Sequence, residues 1–250
     1  MRVFFILFKK EFKQFFLTPF GWVILALVLL MQGFSMSHAM ELMKDKPLTE
    51  NFIFVSLHSP NFWFYFLFTF PLLTMRLFAE EEKAGTLETL MTAPVTTAQV
   101  VISKYFASLC FYAILWLPIL LYLKIFTWVT GSSAPYESGH LLGTYIMLLL
   151  IGSFFLAIGC LASTLTSSQI VAGIITIAAL VMHFFLGVIP YYLGEGFKAV
   201  SAFHYVSIQE HLANAARGLL DTRPVVYHLS MAAFFLFLTH ITLDFRRWKS

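Results

Sequence analysis

Charge is what this sequence has least of. Only 12% of its 250 residues are Asp, Glu, Lys or Arg, about half the roughly 25% of a soluble domain, which excludes an ordinary water-solvated globule. The formal net charge is +3, and no Lys/Arg run alternates with aromatics as a nucleic-acid groove would require. Cysteine is nearly absent as well. Cys110 and Cys160 stand in separate apolar runs without CxxC spacing, so neither a disulfide framework nor a thiolate metal site is supported; they read as small buried apolar side chains. The eight histidines include no HExxH pair. None of the 13 glycines is followed by Lys, so the chain has no Gly-Lys-Ser/Thr loop to cradle phosphates. No repeat or low-complexity tract is evident.

What remains is apolar. Hydrophobic residues make up 59% of the chain, and Phe alone occurs 29 times. One globular core could not hide that much apolar surface, but lipid as the solvent removes the need to hide it. A helix crosses the hydrocarbon core with about 20 mostly apolar residues, and uncharged stretches of that kind predict spans over residues 20–40, 60–78, 100–124 and 225–243. Between Glu137 and Glu195 there is no charged residue, which leaves room for two more, 141–163 and 170–191, divided at Ser163-Thr164-Leu165-Thr166-Ser167-Ser168-Gln169. The expectation is therefore an all-α integral membrane protein of six transmembrane helices forming one domain over 1–250. Ser37-His38-Ala39 resembles a signal-peptidase site, but the uncharged stretch Gln14–Met40 is about twice the length of a signal-peptide apolar region, so it reads as a retained span.

With an even number of spans both termini share a side. That side collects Arg2, Lys9, Lys10, Lys13, Arg76, Lys83, Lys104, Arg246, Arg247 and Lys249. The other side holds Lys44, Lys46, Lys124, Lys198, Arg217 and Arg223. The positive-inside rule then places both termini in the cytoplasm.

Three segments lie outside the spans. In 1–18, Phe5, Phe8, Phe12 and Phe15 share one helical face, with Arg2, Lys9, Lys10 and Lys13 beside it, a pattern suited to a helix in the membrane interface; Thr18-Pro19 breaks it. Lys9, Lys10, Phe12 and Lys13 are the candidate interface residues. In 192–224, beyond the fifth span, Ser207 and Glu210 read as a capping box opening a short outer helix with Ile208, Leu212, Ala215 and Leu219 on one face, ended by Gly218 and Pro224.

The third segment is RLFAEEEKAGTLETLMTAPVTTAQVVISKYFA, Arg76 to Ala107. Glu80, Glu81 and Glu82 end the second span, Gly85 supplies a break, and Thr86 caps a short helix whose Leu87, Leu90 and Met91 share a face opposite Glu88. Pro94 ends it, and Thr96 with Gln99 forms a capping box that opens the third span. Such a helix, lying between two spans, would offer an apolar knob with a charged rim to a cytoplasmic partner. On patterning alone an ordinary solvated loop fits equally well.

Residues 80–107, "EEEKAGTLETLMTAPVTTAQVVISKYFA", resemble the signature of type-2 ABC (ABC-2) transporter permeases: an acidic run, Gly-Thr-Leu-Glu and a downstream Pro before Lys-Tyr. "KKEFKQFFLTPFGWV", Lys9–Val23, resembles the same family's entry into its first span. "ARGLLDTRPVVYHLSMAAFFLFLT", Ala216–Thr239, resembles the last loop and span of its gliding-motility-type branch. The resemblance implies a permease, usually an exporter, that forms a homodimer or a heterodimer with a second permease in a bacterial inner membrane. It also implies a cytoplasmic ATPase subunit that holds the ATP and Mg, this chain binding no cofactor itself. An extracytoplasmic accessory protein is a further partner it admits. Residues 1–18 would be the elbow helix, and Glu80, Glu81, Glu82, Gly85, Thr86, Leu87, Glu88, Leu90, Met91 and Pro94, within 80–95, would make up the coupling region. The Phe- and Leu-rich spans suit an amphiphilic or lipid-linked cargo.

Two other classes fit the sequence less well. A secondary transporter needs charged or discontinuous helices near mid-membrane, where this chain offers only Gln32, His183 and hydroxyl groups, whose ordinary role is packing and interhelical bonding. Glu81-Glu82 resembles the paired glutamates of prenyl-type intramembrane metalloproteases, but Thr86 stands where that family has Arg. His183 stands alone in the fifth span, and His204 and His211, sharing a face, are too few to make a metal site. Gly159 and Ser163, four apart, read as a close helix contact.

Overall fold

Inside a bilayer each backbone N–H and C=O must find a partner within the protein, and a helix supplies one from its own segment. The computed structural model of the chain describes residues 2–43, 51–92, 94–131, 138–193 and 200–247. It is 89% helical and has no strands among the described residues. The helices are α1 (Arg2–Leu17), α2 (Pro19–Met43), α3 (Phe52–Leu57), α4 (Pro60–Thr74), α5 (Ala79–Lys83), α6 (Thr86–Thr92), α7 (Thr97–Trp116), α8 (Pro118–Thr130), α9 (Ser138–Thr164), α10 (Gln169–Leu193), α11 (Val200–Val206), α12 (Ile208–Ala216) and α13 (Thr222–Arg247). Six helical stretches are long and apolar enough to cross a membrane: Pro19–Leu42, Pro60–Lys83, Thr97–Val129, Gly139–Thr164, Gln169–Pro190 and Thr222–Arg246. The chain is thus a multi-pass membrane protein.

The second and fourth spans form the centre. Buried residues make up 72% and 78% of them, against 22–39% for the other four. Apolar side chains gain little by leaving lipid for a helix interface, so close packing and interhelical hydrogen bonds must hold the bundle together. Tyrosines do much of this. Tyr105 donates to the Ser153 carbonyl at 3.0 Å, Tyr112 to Leu148 at 2.9 Å, and Tyr145 back to Ala113 at 2.9 Å, clamping α7 to α9. Gly152 makes room for the Tyr112 ring, since a Cβ there would lie 2.1 Å from its Cε1. Phe62, Phe66, Phe70, Trp116 and Phe155 stack through the space between α4, α7 and α9.

The third span departs from a single straight helix. Its 33 residues would extend about 50 Å at 1.5 Å per residue, well beyond a core of about 30 Å. Pro118 brings no N–H, and the helix breaks at Leu117, whose N–H turns back to Ile114 at 3.1 Å. Beside the break Gln32 of α2 donates to the Leu115 carbonyl at 2.8 Å. Tyr122 donates to the Leu29 carbonyl at 2.6 Å, over Gly33. Both bonds tie the first span to the third.

One end of the bundle carries α3, α11 and α12 as a cap. The α3 N-cap Asn51 accepts from Phe54 N–H and donates to the Ala216 carbonyl of α12, and Arg217 lies over the Phe54 ring. Neither α3 nor α11 carried a signal in the sequence, each being a short helix of six or seven residues. In α12, Ile208, Leu212 and Ala215 face inward as expected, while Leu219 lies past the helix and is exposed. Ser207 caps the helix, but the Glu210 carboxylate pairs with His204 instead of closing the capping box. Gly218 takes the left-handed conformation after α12 (φ 81°). Pro224 sits in the first turn of α13, where a missing N–H does no harm, rather than ending the preceding helix.

Candidate functional site

The opposite end gathers α1, α5, α6, the start of α7 and the end of α13. The predicted acidic run proves to be a separate helix. After α4 ends at Thr74 the chain makes a turn over 75–78 and restarts as α5. The N-cap of α5, Phe78, offers no side-chain bond, so the helix is capped from a distance: Ser163 Oγ on α9 accepts from Phe78 N–H at 3.0 Å and Ala79 N–H at 3.1 Å. Gly159, one turn earlier on α9, passes so close to Thr74 that a Cβ would lie 2.1 Å from its Oγ1. These two residues make the tight contact read from their spacing.

Each of the three glutamates on α5 has a different cation. Glu80 takes the Arg76 guanidinium in a two-pronged pair, 2.7 Å from Nε and 2.6 Å from Nη2, and Arg76 lies over the Phe20 ring of α2. Glu82 pairs with Arg246 near the end of α13. Glu81 meets Lys104 of α7 at 3.0 Å, and Lys104 also holds Glu11 of α1 at 3.1 Å. Lys10 joins from the exposed side, 3.4 Å from Glu81 and 3.5 Å from Glu11. Burial alone would lower the Lys10 pKa, but Glu11 and Glu81 outweigh it and leave the pKa above the usual lysine value. Nearby, Thr97 donates to Asp244 at 2.6 Å, linking α7 to α13.

Lys104 is the unusual member, being 2% exposed, with Glu11 at 6%. A buried ammonium persists only where carboxylates compensate it, and here the compensation comes from two different helices. A cavity of about 60 Å³ beside the cluster is lined by Glu11, Gln14, Arg76, Glu80, Glu81 and Lys104 among others, enough space for ordered water near the Glu81 Oε2, which has no partner among the described residues. By charge pattern alone Lys104 belongs with the basic residues of the cytoplasmic side, and the pattern gives Glu11 no role. The available signal was that Glu11 is the sole acid in the first 40 residues, set on the helix that also carries Lys9, Lys10 and Lys13.

The short helix predicted after Gly85 is present as α6, entered through Gly85 at φ 68°, a left-handed conformation natural to glycine. Thr86 begins the helix, and its hydroxyl donates back to the Glu81 carbonyl at 3.2 Å rather than capping forward. The expected apolar knob points the other way. Leu87 is only 7% exposed and belongs to the protein's own core, against which Leu90 also packs. The exposed rim is polar: Lys83, Gly85, Thr86, Glu88, Thr89 and Thr92, with Pro94 beyond it. The side chain of Met91 lies outside the described residues. The capping box of Thr96 and Gln99 forms as predicted. On α1, Lys9, Lys10 and Lys13 are exposed and Phe12 is half-buried, while Phe15 stacks on Phe111 of α7 at 4.5 Å.

Histidines fall differently from expectation. His183 is not alone: it lies beside Tyr227 and shares the buried space around Phe154 with His228. His211 is buried against His228, whereas His204 faces outward and pairs with Glu210. Among the described residues no group of three or more His, Cys, Asp or Glu is arranged to hold a metal ion.

The profile of one protein family, described as ABC-2 family transporter protein, matches residues 7–190. A search of curated proteins returns no match. The matched segment runs from α1 through α10 and takes in five of the six spans together with the whole α5–α6 region. By that match over most of its length, the chain belongs to the ABC-2 family of transporter proteins.

Proposed function

We propose that this chain is the permease subunit of an ATP-binding cassette exporter, driven by a separate cytoplasmic ATPase that docks on the α5–α6 segment. Family membership and six apolar helices support a transport role. The observation that carries the coupling part is Lys104, buried between Glu81 of α5 and Glu11 of α1. Because one cation satisfies carboxylates on both helices, α5 cannot shift without moving α1 and the third span or breaking a buried ion pair. Arg246–Glu82 extends the linkage to the sixth span. Closure of an ATPase dimer against this end of the bundle would therefore reach three spans at once.

Both termini lie in the cytoplasm on this reading, supported by the excess of Lys and Arg at that end, in the inner membrane of a bacterial cell. The permease pairs with a second copy or a second permease, and the segment Ala216–Thr239, beyond the matched residues, supports the gliding-motility-type branch. The Phe- and Leu-rich spans support an amphiphilic or lipid-linked cargo. The ATPase contacts the polar rim Lys83, Gly85, Thr86, Glu88, Thr89 and Thr92, with Leu87 and Leu90 serving the fold underneath.

The test is reconstitution with candidate ABC ATPase subunits. Glu88→Arg with Thr89→Arg changes only exposed positions, so thermal stability should hold while ATPase association and turnover fall severalfold. Unchanged association and turnover would place the docking surface elsewhere. Cargo uptake driven by an ion gradient in liposomes lacking any ATPase would replace the proposal with a secondary transporter.

A further inference from the structure

The cap at the other end is seated on imidazoles. On α12, Ile208, Leu212, Ala215 and Ala216 are fully buried, and the one polar side chain on that inward face is His211, 6% exposed. Its Nδ1 lies 3.2 Å from Nε2 of His228 on α13, a residue with no exposure at all. His211 also bonds the Tyr205 carbonyl of α11. These contacts are satisfied together when His211 donates from Nε2 to Tyr205 and accepts at Nδ1 from His228 Nε2–H. That assignment leaves His228 Nδ1 as a bare acceptor. It has no partner among the described residues, and neither has Nε2 of His183 on α10, 8% exposed. Two imidazole nitrogens are thus buried near α12 without a partner among the described residues, and the one on His228 is a basic acceptor with no donor supplied to it.

The surroundings favour the neutral forms. None of the three histidines has a carboxylate within ion-pair reach among the described residues. Phe154 and Tyr227 fill the space between them. The charged groups of the neighbouring elements are engaged elsewhere: Glu210 of α12 with His204 of α11, Asp221 with Arg223 of α13, and Arg217 over Phe54. His140 of α9 lies against Gly218. An open cleft of about 800 Å³, lined by His204, Tyr205, Glu210, Asp221 and His211 itself, gives aqueous protons a route to the cluster.

We propose that His211, His228 and His183 form a proton-operated latch: neutral, they hold α12 on the fifth and sixth spans, and proton uptake through the cleft releases it. A charge placed here has no carboxylate within ion-pair reach among the described residues, and a second charge meets the first across 3.2 Å. Burial lowers the His211 pKa to about 4 from an ordinary 6.5, with the Tyr205 carbonyl and Asp221 offsetting part of that. A released α12 recovers the ordinary value and binds the proton more tightly. Docking is therefore complete above pH 6.5 and weakens as pH falls from 6.5 toward about 4.

Hydrogen exchange read by mass spectrometry on the whole protein in lipid nanodiscs tests the latch, with protection factors corrected for the intrinsic pH dependence of exchange. Between about pH 7.5 and 4.5, protection of the α12 amides should fall about tenfold or more while that of α9 stays constant, about one pH unit of linked protonation or more. His211→Phe with His228→Phe should remove the response, and Glu210→Gln should keep it. Constant α12 protection in the unsubstituted protein overturns the proposal, as does an equal loss in the double variant. If the double variant leaves α12 unprotected at both pH values, the midpoint of the unsubstituted protein decides: inside the 4 to 6.5 window supports the latch, outside it refutes it.

Discussion

Replacing Lys104 with Met keeps an unbranched side chain, one atom shorter, and removes its charge. The substitution strands Glu11, whose side chain is 7% exposed, and Glu81 at 17%. Removing one partner of a buried ion pair costs about 3–5 kcal/mol, most of it the penalty of an uncompensated buried charge. Lys10 still lies 3.4 Å from Glu81 and 3.5 Å from Glu11, and the neighbouring cavity can hold water, so the lower figure of about 3 kcal/mol applies. For a chain of this length each kcal/mol moves the melting temperature by about 2–4 °C, so the drop should be roughly 6–12 °C. Thermal unfolding of the purified protein in detergent measures it. Adding Glu11→Gln and Glu81→Gln to Lys104→Met removes the stranded charges and should recover more than half of the loss, the triple variant remaining defective in coupling to an ATPase. A Lys104→Met protein that melts within about 2 °C of the original would refute the reasoning, because buried carboxylates left with only the exposed Lys10 cannot cost so little. So would a triple variant no more stable than the single one.

Other outcomes follow from the packing. Ser163→Ala removes the acceptor that caps α5 and should cost about 1 kcal/mol, with faster hydrogen exchange confined to residues 78–82. Gly152→Ala would set a Cβ 2.1 Å from the buried Tyr112 ring; the resulting overpacking should cost about 1–3 kcal/mol, read as a lowered melting temperature that Tyr112→Leu partly relieves. Leu87→Asp places a carboxylate in the core and should destabilise the protein itself, whereas Glu88→Arg should leave its melting temperature unchanged; equal melting temperatures for both would mean that α6 turns its apolar face outward after all.

Much of the architecture was legible because the membrane makes the problem local. Whether twenty residues can sit in hydrocarbon depends on those residues alone, so the six apolar stretches could be read directly from composition. Thr96 and Gln99 satisfy each other within one turn, and Gly85 needs only its own backbone freedom, so both could also be read. The break at Pro118 was legible in principle, because a proline lacks an N–H wherever it stands. What could not be read is what faces what. Periodicity puts Leu87, Leu90 and Met91 on one stripe of α6, but a stripe carries no information about whether a partner or the chain's own core covers it. Lys104 looked like a surface cation because its two carboxylates come from α1 and α5, distant in the sequence. Likewise His211 looked paired with His204 by spacing and His183 looked isolated, until the fold brought the His211 and His228 rings, on different helices, to hydrogen-bonding distance. The sequence by itself determined the solvent, the six spans and the family; only the tertiary structure decided which charges are buried together, because the cost of an unpaired charge depends on neighbours that folding supplies.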